Sequence, residues 1–270
     1  MKLVINESKK ELFISLFQLL KNCSSSIHCT FETEFLHIQG MDKSHVCLFN
    51  VKLYNEVFSE YTITKKTQIC FDSSTFYSII STKSDGQSLV IQTKEEDEDI
   101  LYIHFSNEEK EAEEKPLKKA KKEKKTDFKK FFKLPLSDYS YTELVITDYE
   151  YDVEFAILAK EITDIFTQLN NFGDDIVIHC SQEDVQLTTQ GITGEMRVDL
   201  PIDDLNSYAI LEEEEFTLAY SLLYLNKICI TNKLTKNIDF SLSNDYPMKI
   251  SYGLGENSSL VFFIASKIVE

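Results

Sequence analysis

The chain carries the same run of elements twice, about 150 residues apart. A duplication of that length restricts the fold to two similar domains in tandem. The first copy reads Lys10-Glu11, an apolar-periodic stretch ending Leu19-Leu20, a polar turn, Ser26-Ile27-His28-Cys29, then Leu36-His37-Ile38-Gln39-Gly40. The second reads Lys160-Glu161, Ile162 to Leu169, a polar turn, Val177-Ile178-His179-Cys180, then Leu187-Thr188-Thr189-Gln190-Gly191. An extended segment follows each Gln-Gly, Val46 to Val51 in one copy and Met196 to Leu200 in the other. A helical stretch comes later in both, Ser73–Ser81 and Ser221–Lys227. Two copies of this length are not an array of short repeats.

A chain of 270 residues accommodates two domains that each bury a core. With 43% apolar and 27% charged residues the composition is globular. The apolar run Leu260 to Ala265 is one buried strand's worth, far short of the roughly 20 residues a membrane-crossing helix needs. Met1 to Asn6 lacks the long apolar region and cleavage site of a signal peptide. A soluble, intracellular protein is expected.

Leu12, Phe13, Leu16, Leu19 and Leu20 recur at helical spacing and predict an amphipathic helix over Ser8–Lys21. Asp72-Ser73-Ser74 supplies side-chain oxygens that can cap a second helix through Ser81. Helices are predicted again over Ala159–Asn170 and Ser221–Ile228. Strand-forming residues fill Ile27–Thr62, Leu89–Thr93, Ile100–Phe105, Phe131–Leu136, Ile176–Leu200, Asn237–Leu242, Met248–Tyr252 and Leu260–Ile264. The acidic run Glu95 to Asp99 is expected to be a solvated hairpin loop. Strands outnumbering four short helices, without βαβ alternation, indicate an α+β fold of antiparallel sheets with helices on one face. The division expected is a first domain over 1–136, a connector over 137–150 and a second domain over 151–270.

The six cysteines are scattered with no Cys-x-x-Cys pair, and in apolar segments free Cys behaves as a small hydrophobe. A zinc site needs clustered ligands, and His28-Cys29 and His179-Cys180 lie in different copies, with adjacent strand residues pointing to opposite faces. No metal and no cofactor are expected. Phosphate-binding glycine loops and a Gly-x-Ser-x-Gly elbow are absent, and no carboxylate pair stands out by spacing. The chain reads as a non-enzyme.

The formal net charge of −17 argues against a protein that simply coats nucleic acid. Yet ten of the 28 basic residues fall between Lys115 and Lys133, in a low-complexity insertion over about 107–130 and the strand after it. Little in that insertion can bury apolar area. Its field is opposite in sign to the rest of the chain, so its expected role is sequence-independent DNA contact or nuclear import, the alternative being a solvated loop neutralised by Glu108, Glu109, Glu111, Glu113 and Glu114.

Gly40-Met41-Asp42-Lys43-Ser44-His45-Val46-Cys47-Leu48 resembles the Met-Asp-x-Ser-His-Val-x-Leu hairpin of the proliferating cell nuclear antigen family, the eukaryotic DNA sliding clamps. Tyr224-Leu225-Asn226, Asp245-Tyr246-Pro247-Met248 and Ala265-Ser266-Lys267-Ile268 are similar to further marks of that family, in the same order. The resemblance implies a DNA clamp fold, assembled head to tail as a homotrimeric ring that encircles double-stranded DNA without reading its sequence. It implies a polymerase processivity factor in replication and repair, opened by a clamp loader and located in the nucleus, or at a viral replication site. A subunit of a heterotrimeric checkpoint-type clamp and a monomeric viral-type processivity factor share the fold. No membrane contact is implied.

The resemblance also assigns residues. Met41, His45, Val46, Leu48, Leu144, Ile146, Pro247, Phe263, Ala265, Ser266, Lys267 and Ile268 are implied to bind DNA polymerase and other partners through the Gln-x-x-Leu/Ile-x-x-aromatic-aromatic motif, the PIP-box. Ser266 stands where the family usually has proline. Phe132, Leu134, Arg197 and Val198 are implied at the subunit interface. On the channel, Ser15, Ser78, Ser81, Asp164, Thr167 and Leu223 occupy places where the family commonly has Lys or Arg, leaving Lys10, Lys21, Lys83, Lys227 and Lys233 as the DNA-facing cations.

Overall fold

The computed structural model describes residues 1–82, 86–106, 129–138, 142–211 and 214–267. The first half contains β1 (Lys2–Ile5), α1 (Glu7–Cys23), β2 (Ser26–Phe31), β3 (Phe35–Met41), β4 (Cys47–Tyr54), β5 (Glu60–Thr62), β6 (Thr67–Asp72), α2 (Ser73–Ile80), β7 (Ser88–Lys94), β8 (Asp97–Ser106) and β9 (Phe131–Pro135). The second repeats that order with β10 (Val153–Leu158), α3 (Ala159–Leu169), β11 (Asp175–Cys180), β12 (Asp184–Gly191), β13 (Gly194–Pro201), β14 (Ser207–Ile210), β15 (Phe216–Ser221), α4 (Leu222–Ile228), β16 (Asn237–Leu242), β17 (Met248–Gly253) and β18 (Ser259–Ile264). Even the short 3-10 turn after β4, Asn55–Val57, has its counterpart after β13 at Ile202–Asp204. The fold is α+β with antiparallel sheets.

Each half forms two sheets. In the first these run β5-β1-β7-β8-β9 and β4-β3-β2-β6; in the second, β14-β10-β16-β17-β18 and β13-β12-β11-β15. One extra pairing joins the halves. β18 pairs with β4 from Ser259↔Lys52 to Ile264↔Cys47, which fuses two of the four sheets into one of nine strands. Phe262 opposite Phe49 and Leu260 opposite Val51 are fully buried, so the core is continuous across the junction. Helices add two more ties: the Tyr224 hydroxyl donates to Asp42 at 2.7 Å, and the Asn22 side-chain amide donates to the Lys227 carbonyl at 3.1 Å.

Local chemistry explains the helices. The Asn6 side chain accepts from the Lys9 amide and starts α1; Asp72 accepts from Thr75 and starts α2. α1 buries Phe13, Leu16, Phe17, Leu19 and Leu20, and Phe17 meets Phe76 of α2 at 4.7 Å between ring centroids. α3 buries Ala159, Ile162, Phe166 and Leu169, one face of a helix. The four helices pack side by side in the order α2, α1, α4, α3.

The repeated Gln-Gly marks have a steric cause. A Cβ at Gly40 would lie 2.4 Å from the Phe49 ring, and one at Gly191 would lie 2.0 Å from the Phe172 carbonyl oxygen. Only glycine lets these neighbours approach.

Three expectations are corrected. Ser15 is 3% exposed and sits on the buried face of α1, so it does not line the helix surface. The acidic run is not a five-residue loop: Glu95-Glu96 alone make the turn, and Asp97, Glu98 and Asp99 belong to β8. β1, β6, β10, β14 and β15 are strands that periodicity did not reveal. Most of the Lys-rich insertion lies outside the described residues, and its role is untouched by the structure.

Candidate partner-binding site

The nine-stranded sheet has a buried face under the helices and an outer face. Alternate residues along each strand point to opposite faces. Register places Met41 opposite Leu48, Leu48 opposite Phe263, and Phe263 opposite Lys249. Those four side chains form one row on the outer face, and all are half-buried. Their strand neighbours Cys47, Phe49, Phe262 and Ile264 are fully buried on the other face.

The connector is tied to the same face beside this row. Gln39, two residues before Met41 and on the same face, is 2% exposed. Its side-chain carbonyl accepts from the Leu144 amide at 2.7 Å, and its NH2 donates to the Leu144 carbonyl at 2.9 Å. Leu144 is 39% exposed and Ile146 half-buried. His37, further along β3, reaches Glu143 at 3.3 Å.

The Asp42–Val46 turn forms one wall. The Asp42 carboxylate accepts from the amides of Ser44, Val46 and Cys47 at 2.9, 2.8 and 2.7 Å, and from Tyr224. Burial acts to raise this carboxyl's pKa, but hydrogen bonds from Cys47, Tyr224, Ser44 and Val46 outweigh it and hold the pKa below the ordinary value. This network also holds His45 in the left-handed region at φ +58, a conformation that costs a non-glycine residue about 1 kcal/mol or more. The His45 side chain is exposed at the tip.

The other implied residues close the site. Ala265 donates its amide to the Val46 carbonyl at 3.0 Å, so the end of β18 lies against the turn. Pro247 is exposed and accepts from the Tyr151 hydroxyl at 3.3 Å. Ser266 is exposed. The Lys267 amide donates to the Ala219 carbonyl at 2.7 Å in an isolated antiparallel bridge, and its ammonium pairs with Asp175, so its backbone is tied to β15. Ile268 lies outside the described residues. Sequence reasoning missed Gln39 as a part of this surface, and Tyr151 at its border. For Gln39 a signal existed: a glutamine at a core-strand position must find a buried partner.

The interface residues divide by face. β9 and β13 are outer strands of their sheets. Leu134 is buried, Phe132 packs edge-on against Phe105, and Val198 is half-buried against its own core. These three side chains face inward, and what their strands present at the edge is backbone. Lys133 and the 71%-exposed Phe131 project from β9, as Glu195 and Arg197 do from β13, where Arg197 pairs with Asp199 at 2.5 Å. β9 thus carries one lysine, and β13 carries Glu195 beside the paired Arg197 and Asp199.

Of the implied DNA-facing cations among the described residues, two are held by neighbouring groups and two lie by aromatic rings. Lys10 donates to the Gln87 carbonyl at 2.9 Å, and Lys233 pairs with Glu11 at 2.9 Å. Lys21 lies 4.0 Å from the Tyr77 ring centroid, and Lys227 5.3 Å from that of Tyr224. Lys83 is outside the described residues. Ser78, Ser81, Asp164, Thr167 and Leu223 are exposed as expected. Among the described residues no group of three or more His, Cys, Asp or Glu side chains could hold a metal.

Comparison with known proteins converges on one family. Residues 5–127 match the N-terminal domain of proliferating cell nuclear antigen, and residues 145–267 match its C-terminal domain. The chain is 23% identical to proliferating cell nuclear antigen 1 of Plasmodium falciparum, covering 94% of this chain and 92% of that one. It is 26% identical to proliferating cell nuclear antigen of Chaetomium thermophilum, covering 86% and 85%. Among solved structures, PCNA of Thermococcus kodakaraensis superposes with a TM-score of 0.82 at 20% identity, over 98% and 99% of the chains. The PCNA2-PCNA3 complex of Sulfolobus tokodaii gives 0.82 at 18% identity, over 99% of each.

Proposed function

Since this chain belongs to the proliferating cell nuclear antigen family, we infer that it is a DNA sliding clamp, a ring that encircles duplex DNA and tethers polymerase and other replication and repair proteins to it. One observation carries the reading. The halves repeat each other strand for strand, and β18 of one joins β4 of the other. Their counterparts, β9 and β13, are left at sheet edges. An unpaired edge is a template for another strand, and a head-to-tail contact repeated with closing rotation makes a ring. Pairing β9 of one copy with β13 of the next would repeat the internal junction between chains. Lys133 on the β9 edge facing Glu195 on the β13 edge favours a second copy of this same chain as the neighbour, and our reading is that three copies close the ring.

The helices would then line the channel. With Lys10 and Lys233 held by neighbours and Ser78, Ser81, Asp164, Thr167 and Leu223 among the exposed positions, that surface offers DNA reduced electrostatic affinity. Retention is therefore topological: the closed ring cannot leave DNA sideways. Partners dock on the outer face, where Met41, Leu48 and Phe263 accept the apolar anchors of a PIP-box and the connector flanks them. Scaffolding needs no catalytic group. A clamp loader would open the ring, and the protein would act in the nucleus, or at a replication site if the source is viral.

The test is retention on DNA of different topology. Protein assembled on linear duplex should run off open ends and persist when both ends are blocked. Equal loss from open and blocked DNA would refute encirclement.

A further inference from the structure

Beside the pocket lies an aromatic cluster that the clamp reading does not use. Tyr149 of the connector and Tyr246 of the β16–β17 loop stack with centroids 3.9 Å apart and planes 16° from parallel. Tyr151 stands edge-on to Tyr246 at 6.4 Å and 68°. Its hydroxyl bonds the carbonyl of Pro247, a pocket residue, so cluster and pocket share a border. Tyr149 is 41% exposed, so part of its ring surface is accessible to a ligand.

The surroundings select the occupant by charge. From residue 142 to 154 the connector and the start of β10 carry Glu143, Asp148, Glu150, Asp152 and Glu154 with no Lys, Arg or His, and Asp245 adjoins Tyr246. Negative potential of this kind repels acidic ligands and adds to the attraction of tyrosine π-faces for cations. The chain already places one cation there: Lys249 lies 5.8 Å from the Tyr151 centroid. The Tyr151 phenol is pushed up to about 12, first by burial and then by Tyr149, Asp148 and Glu154, which fits a negative environment.

We propose that the Tyr149–Tyr246 stack is a cation-recognition subsite, taking the arginine or lysine side chain that flanks the apolar anchor of a partner peptide. It rests on the pocket reading and adds the sign of the partner's flank. A planar guanidinium lies flat on the exposed Tyr149 face while Asp148 and Asp245 offer carboxylates nearby. Lysine gives the same attraction without the planar stacking.

The test uses PIP-box peptides with an arginine just beyond one end of the motif or the other, each matched by a citrulline peptide of nearly the same shape and no charge. Fluorescence anisotropy gives the affinity ratio of each pair. On the wild-type protein one flank should show a preference for arginine of about three- to tenfold. Tyr149→Leu should collapse that ratio, whereas Tyr149→Phe, which keeps the ring, should preserve it. A ratio near one on both flanks, or one that survives Tyr149→Leu, overturns the subsite while the pocket stands. Failure of every peptide to bind overturns the pocket and the subsite together.

Discussion

Gln39 holds Leu144 by both ends of its backbone, accepting from the amide at 2.7 Å and donating to the carbonyl at 2.9 Å. A buried side chain in β3 thus ties the connector to the outer face of the sheet, next to the His37–Glu143 contact. Gln39→Met keeps the volume and removes both bonds, at a cost of about 1–2 kcal/mol locally. PIP-box peptide affinity should fall roughly tenfold as the site loses preorganisation. Calorimetric titration checks this; unchanged affinity would show that the connector is held by other means.

Asp42 and Tyr224 join the partner wall to the second half, and that tie should depend on pH. The Asp42 carboxyl is held below its ordinary value in the folded chain. Its contribution is therefore complete above the unfolded pKa of about 3.9 and is lost as pH falls through the folded value. Urea unfolding of wild type and Asp42→Asn should show a stability gap that is constant from neutral pH to about pH 5 and shrinks below pH 4. A gap independent of pH would contradict this. Tyr224→Phe should cost about 1–2 kcal/mol in wild type and much less in Asp42→Asn.

Gly40 is required by contact, not by backbone angle. Gly40→Ala would drive a methyl into the buried Phe49 ring, 2.4 Å away, for a loss of about 1–3 kcal/mol. Gly253→Ala, with nothing within 4 Å of the new methyl, should stay within about 0.5 kcal/mol. Phe49→Leu should recover part of the loss in Gly40→Ala. Equal losses at Gly40 and Gly253 in thermal unfolding would remove the steric explanation.

On the helix surface, Glu11 occupies Lys233 at 2.9 Å. An exposed pair of this kind adds little stability, so Glu11→Gln should fold normally and free a cation. Binding to open linear duplex should strengthen, with a steeper dependence on salt, by about one counterion per copy engaged. An unchanged salt slope would place these residues away from DNA.

Much of this architecture was legible because the repeat preserves local marks. The apolar spacing of Phe13, Leu16 and Leu20, or of Ile162, Phe166 and Leu169, is a helix's own periodicity and reads without tertiary context. β1, β10 and β14 are four to six residues long, and their extended form depends on partners remote in sequence, which short windows do not contain. Ser15 misled for a related reason: a small polar residue within a buried stripe looks like surface. Met41, Leu48 and Phe263 each read as ordinary core, and only strand register aligns them on one face. Val198 and Leu134 were placed at an edge, where they are, but alternation turns their side chains inward and leaves backbone and Lys133, Glu195 and Arg197 outside. The Tyr149–Tyr246 stack had no sequence signal, since two tyrosines in separate loops meet only in the folded chain.

The central claim is that β9 of one copy completes β13 of the next. Sedimentation equilibrium of the purified protein measures this directly. The account predicts a species of three times the 31.3 kDa chain mass at micromolar concentration, shifted toward monomer by Lys133→Glu, which gives the β9 edge the same sign as Glu195. A single-chain mass at every concentration, with protein still retained on end-blocked DNA, would contradict the ring and favour a clamp that binds as a monomer.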